Sequence, residues 1–295
     1  MFAAAPSIAP PAWLLAPFLL LLACVALGPI AFPHFWHRRY PLIAVGLGAI
    51  TAGYYLLRGQ GTPMLHALEE YVGFIALIGS LYIVAGGIHI GVKGESTPLG
   101  NCLFLLVGAI LANVIGTTGA SMLLIRPWMR MNRYRITGFH IVFFIFIVSN
   151  VGGCLTPIGD PPLFMGYLKG VPFWWVLQHC WAGWLLAVFG LLVIFYFFDR
   201  KNFRRASAAI REKETTAETW QVQGFHNILY IAAILFAILA LPLGWREAVM
   251  VAAGLASLRT TPAAIHQANH FNYEPLKEVA WLFVGIFATM PPALQ

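Results

Sequence analysis

"SNVGGCLTPIGDPPLFMGYLKG", residues 149–170, follows one apolar run and precedes another. A stretch so placed is expected at membrane depth, where irregular backbone is costly because no water satisfies its polar groups. Yet it holds five glycines, three prolines and an aspartate. Residues 139–148 before it are strongly apolar and should be helical. Gly152, Gly153, Pro157 and Gly159 then make a continuous helix improbable. Asp160 followed by Pro161 is a restart signal: an N-cap residue, then a proline at the first helical position, where its missing N–H costs nothing. The span 139–169 therefore reads as half-helix, extended loop, half-helix.

The composition sets the surroundings of this break. Of the 295 residues, 60% are hydrophobic and only 10% charged, against about 25% charged in a soluble domain. Long apolar segments recur along the chain, so the fold class expected is an all-α polytopic membrane protein. A bilayer core of ~30 Å needs about 20 apolar residues per helix. Spans are expected at 12–32, 41–57, 67–92, 139–168 with its interruption, 173–198, 225–243 and 245–258, and an eighth begins near 279. That makes seven to eight spanning helices.

The net charge of +7 follows from orientation rather than from a nucleic-acid surface. With the 33–40 loop in the cytoplasm, Arg38, Arg39, Lys93, the four arginines from Arg126 to Arg135, the six basic residues from Arg200 to Lys213, Arg259 and Lys277 all lie inside. Only Arg58, Lys169 and Arg246 fall outside, and the N-terminus is expected to be periplasmic. Lys93 and the 126–135 cluster share a side only if the chain between them enters and returns. We therefore expect a re-entrant helical hairpin over 99–127, turning in "NVIGTTGAS", residues 113–121.

The two irregular elements carry the candidate chemistry. Discontinuous helices near the midplane point to a transporter's binding site, since unwound carbonyls and half-helix ends can hold ions. Ser149, Asn150 and Thr156 offer hard oxygen ligands at the break, and Asn113, Thr117, Thr118 and Ser121 offer a similar set at the hairpin tip. Asp160 is the only carboxylate that this topology puts deep in the membrane, where such groups mark function. The four cysteines have no metal-ligand spacing, and His266 and His270, spaced i, i+4, lack a carboxylate to complete a metal site. His89 and His179 read as packing histidines, Glu69 and Glu70 as interfacial, and Trp174, Trp175, Trp181 and Trp184 as an aromatic belt and its approach to the core. No enzyme motif is present, so no enzyme is expected.

At these motifs the sequence resembles the NhaD-type bacterial sodium/proton antiporters, within the citrate-transporter-like group of the ion transporter superfamily. "SNVGGCLTPIGDPPLFMGYLKGVPFWW" and "ANVIGTTGASMLLIRPWMR" carry the likeness, which covers most of 40–295. The resemblance implies two inverted repeats, each with a hairpin and a broken helix, a homodimer, and residence in the bacterial inner membrane. It places Asn113, Thr117, Thr118, Asn150, Gly153, Thr156 and Asp160 in the ion-binding region, with Gly159 and Ser121 beside them. A Na⁺ site at Asn113, Asn150, Thr156 and Asp160 is the working expectation, with transported Na⁺ and H⁺ as the ligands and no cofactor.

In carboxylate-transporting relatives the loop carries a neutral Thr-Pro-Pro-Asn, whereas here Asp160 and Leu163 stand at its two ends. This favours Na⁺/H⁺ antiport, with a citrate, dicarboxylate or arsenite-type anion transporter as the alternative. The domains expected are a first repeat over 1–198, a cytoplasmic linker over 199–224 with room for a surface helix, and an incomplete second repeat over 225–295. No second hairpin or break is found, so the chain looks truncated, and a non-transporting remnant is a further expectation.

Overall fold

The computed structural model describes residues 10–91, 97–205 and 221–294. Lys93 and most of the 199–224 linker lie outside the described residues. The architecture is all-α, as expected of a polytopic membrane protein. Eleven helices are described: α1 (Ala16–Ala31), α2 (Pro33–Leu57), α3 (Thr62–Gly86), α4 (Pro98–Met131), α5 (Gly138–Phe144), α6 (Pro161–Leu168), α7 (Trp175–Arg205), α8 (Asn227–Ala240), α9 (Trp245–Thr260), α10 (Ala263–Ala268) and α11 (Glu274–Thr289). Two three-residue strands, β1 (His89–Gly91) and β2 (Gln221–Gln223), pair antiparallel with His89 opposite Gln223. Nothing in the sequence pattern announced this ladder, because three residues are too few for a period of two to show.

Among the described residues, five stretches are long and apolar enough to cross a membrane: 12–31, 33–57, 62–86, 98–131 and 175–205. The second begins earlier than expected. Pro33, not Pro41, takes the first helical position, and Pro41 sits inside the helix.

The chain forms two compact units. One comprises residues 1–75 and 272–295. In it α11 packs on α2 through small residues: a Cβ on Gly285 would lie 2.8 Å from the Ala44 Cβ. Phe74 stacks on Phe283 at 4.3 Å, and the Tyr71 hydroxyl donates to the Ala280 carbonyl at 3.2 Å. The other unit comprises 76–271 and holds both irregular elements. In this grouping 272–294 fall with the N-terminal helices.

Within the second unit, length alone would make α4 a spanning rod. A straight helix would separate Asn101 from Asn132 by about 46 Å. Instead the Asn101 amide donates to Asn132 Oδ1 at 2.7 Å, and Asn132 donates back at 3.1 Å. Phe104 stacks with Trp128 at 5.7 Å. The chain therefore doubles back, and the turn is Gly116, at φ 77° and ψ 155°. That backbone is open to glycine and strained for any side chain.

Candidate functional site

The break begins one residue after α5. Residues 145–150 widen into π-helical turns, 151–153 tighten into a 3₁₀ turn, and regular structure then stops until Pro161. Hydrogen bonds across the two elements explain why this irregular backbone is tolerated in a buried setting. Thr117 N–H, just past the hairpin turn, donates to the Gly159 carbonyl at 3.1 Å. The Asn113 amide donates to the Gly152 carbonyl at 2.6 Å, and its Oδ1 accepts from Leu155 N–H at 2.9 Å. Thr156 Oγ1 donates to the Asn113 carbonyl at 2.6 Å and accepts from Gly159 N–H at 3.2 Å. The freed polar groups of the break are thus met by the hairpin tip.

Close approach sets the residue types. A Cβ on Gly153 would lie 2.5 Å from Thr117 Cγ2 and 2.6 Å from the Gly159 carbonyl oxygen. A Cβ on Gly159 would collide with the Gly153 carbonyl outright. Only glycines let the loop cross itself against the hairpin tip.

Asn113, Gly153, Thr156, Gly159 and Thr117 are therefore brought together. Ser121 and Ser149 form a second pair, their hydroxyls 2.7 Å apart, and Ser121 Oγ also donates to the Thr117 carbonyl at 2.6 Å. Thr118 lines a cavity of about 20 Å³ with Ile78, Leu81, Thr117, Gly159 and Pro161. Asn150 is exposed, and its carbonyl accepts the Cys154 thiol at 3.6 Å.

Asp160 stands at the N-cap position in extended backbone, φ −137° and ψ 132°, with Pro161 at the first helical position. The expected cap bond is missing, for a covalent reason. Pro161 and Pro162 have no N–H, and the Leu163 and Phe164 N–H groups both donate to the Asp160 carbonyl, at 3.0 and 3.2 Å. Its half-buried carboxylate makes no hydrogen bond or ion pair among the described residues. The same prolines strip the start of α6 of the free donors that an anion would need.

Two features escaped the sequence. Trp184 is no belt residue: its indole N–H donates to the Gly152 carbonyl at 3.0 Å, so α7 braces the break. The second feature is a polar knot around Asp199, which the sequence reading left at the head of the linker. The Asp199 side chain is fully buried near the end of α7. It accepts from Arg135 through both guanidinium nitrogens, one at 3.1 Å, from Asn101 at 2.8 Å and from His140 Nε2 at 3.1 Å. Thr137 N–H donates to His140 Nδ1 at 3.2 Å, so the imidazole carries its proton on Nε2. One carboxylate thus ties both ends of the hairpin and the start of the broken helix to α7. The one available signal was Asp199 itself, a lone acid closing 29 residues without Asp, Glu, Lys or Arg.

The histidines fall elsewhere. His89 Nδ1 lies 2.8 Å from Asn269 Oδ1, and His179 donates to the Trp175 carbonyl one turn back, at 2.8 Å. No group of His, Cys, Asp or Glu among the described residues could hold a metal ion.

A hairpin tip docked into an unwound, carboxylate-bearing break, in a chain of long apolar helices, defines a polytopic membrane protein of the transporter class. The chain matches the family model described as "Putative citrate transport" over residues 7–295, and it belongs to that family. No curated protein and no solved structure matches it significantly.

Proposed function

We propose that this chain is a secondary transporter that exchanges Na⁺ for H⁺ at Asp160, between the hairpin tip and the broken helix. The observation that carries this reading is the Asp160 carboxylate, the one charged group of the break, which has no hydrogen-bond or ion-pair partner among the described residues. A carboxylate held in an apolar setting is expensive unless it takes up a cation or a proton, and alternating between the two is antiport. A small cavity lies next to Asp160, lined by Gly159 and Pro161 on either side of it and not by Asp160 itself. Its 20 Å³ is room for about one water or one bare cation. Thr117 and Thr118, which are among its lining residues, carry hydroxyls of the kind Na⁺ accepts. Residence in the bacterial inner membrane, an outward N-terminus and a homodimer belong to the same reading.

The family description favours a second reading, uptake of citrate or a similar carboxylate. An anion of that size needs the hairpin tip and the loop to part, and the proline-headed α6 gives it no N–H groups.

Proteoliposomes holding the full chain and a pH-sensitive dye separate the two readings. We expect Na⁺-dependent proton movement in the wild type and none in Asp160→Asn, with labelled citrate left outside in both. Citrate uptake by the wild type, with no proton movement driven by Na⁺, would overturn the antiport reading.

A further inference from the structure

The last two turns of α7 carry Arg200, Lys201, Arg204 and Arg205, all exposed. At 3.6 residues per turn, these four and Phe197 share an arc of about 140°. The opposite side of the same turns is sealed. Asp199 is buried, Asn202 donates to the Arg135 carbonyl at 2.8 Å, and Phe203 lies 5.2 Å below the Arg135 guanidinium. The knot around Asp199 therefore fixes the rotation of α7 and turns all four cations outward.

They are also left unspent. None of the four forms an ion pair among the described residues, and Arg200 only covers the Tyr196 ring at 6.0 Å. A groove of about 480 Å³ runs between them and Phe197.

The stripe continues into the membrane. Leu186, Phe189, Val193 and Phe197, spaced three or four apart, are exposed on the same side of α7. From Trp175 to Phe198 the helix is about 36 Å long, a little more than the ~30 Å hydrocarbon core. With exposed Trp175 and Trp181 toward its other end, the cations fall at headgroup level. Orientation in the membrane requires positive charge near the end of a helix. It does not require that the charge share one face with an unbroken apolar stripe.

We propose that this face is a binding site for an anionic phospholipid, its phosphate held by Arg200, Lys201, Arg204 and Arg205 and its acyl chains lying along Phe197, Val193, Phe189 and Leu186. Charge and continuity select the lipid: a free phosphate would use the cations and leave the apolar stripe idle. The inference is independent of what the chain transports.

The test is lipid retention by the purified full chain in detergent, read by native mass spectrometry against phosphatidylglycerol and phosphatidylcholine. Each juxtamembrane cation is worth about fivefold in affinity for an anionic surface, so all four amount to roughly 600-fold. We expect phosphatidylglycerol to be retained in preference to phosphatidylcholine, and the preference to vanish in R200Q/K201Q/R204Q/R205Q. It should survive in R38Q/R39Q, which alters a different basic pair. A second variant, R204Q/R205Q, covers the case of poor folding and should lose about 25-fold. Equal retention of the two lipids by the wild type, or unchanged preference in the α7 variants, would overturn the proposal. So would full displacement by inorganic phosphate, which would mark a soluble-anion site.

Discussion

Replacing Asp199 by leucine should cost more than any other single change in the 76–271 unit, and the structure gives the size of the loss. The Asp199 and Arg135 side chains are 0% and 1% exposed. Removing the acid strands a guanidinium in a dry interior, a change worth about 3–5 kcal/mol. His140 and Asn101 each lose an acceptor, adding about 1 kcal/mol apiece. Arg135→Met strands the opposite charge and should cost about 3 kcal/mol, since His140 and Asn101 still donate to the acid. The double variant removes both charges. It should fall back to about 1–3 kcal/mol, below the Asp199→Leu single, because only neutral donors remain unmet.

Chemical unfolding of the purified chain in micelles measures this cycle. Hydrogen exchange locates the effect. In Asp199→Asn, amides at 98–104 and 128–140 should exchange faster, since Asn101, Asn132 and His140 lose their common anchor. Amides of α11 should be unaffected. A cost below about 1 kcal/mol for Asp199→Leu, or additivity in the double variant, would refute the idea that one carboxylate holds the base of the hairpin.

Two further changes probe other parts of the molecule. Gly159→Ala drives a methyl group into the Gly153 carbonyl and should cost about 1–3 kcal/mol or more, while Gly190→Ala, with nothing within 4 Å of the added Cβ, should be neutral or mildly stabilising. Equal unfolding midpoints for the two would remove the reason given for the glycines. His266, on α10, has both ring nitrogens buried without a hydrogen bond; burial depresses its basicity, with the Gly86 carbonyl opposing weakly. Below about pH 6.5 the unfolded chain binds a proton that the folded chain resists, so stability should fall as pH drops through that window. His266→Phe should flatten this dependence between about pH 7.5 and about pH 5.5, and an unchanged slope would exclude His266 as its source.

Much of this was legible because the signals were covalent and local. Helix breakers at Gly152, Gly153 and Pro157 can end a helix whatever surrounds them, and Asp160-Pro161 restarts one. The hairpin was legible through charge, because Lys93 and Arg126 to Arg135 are too alike to fall on opposite sides of a membrane. What stayed hidden depends on distance in space. Trp184 looks the same from sequence whether it faces headgroups or the Gly152 carbonyl. The tie from Asn101 to Asn132 spans 31 residues, and Asp199 reaches back 98 residues to Asn101. No period or spacing encodes such pairings. The β1–β2 ladder was lost for a related reason, since its three-residue strands are defined only by each other.

Several polar groups of the 76–271 unit are committed to fastening the hairpin tip to the break. Asn113 uses its amide and its carbonyl on Gly152, Leu155 and Thr156. The Gly152 carbonyl is claimed twice, by Asn113 and Trp184. These groups act as rivets between hairpin tip and break. Asp199 is spent in the same way at the hairpin's base. Asp160 follows the Gly159 carbonyl that accepts from Thr117 N–H, on a helix end whose prolines deny it a cap, and its carboxylate is uncommitted among the described residues. A loop meant only to be stable would put at 160 a residue that the rivets could satisfy. The antiport proposed above asks for such an arrangement, a carboxylate in fixed surroundings that is free to change its partner.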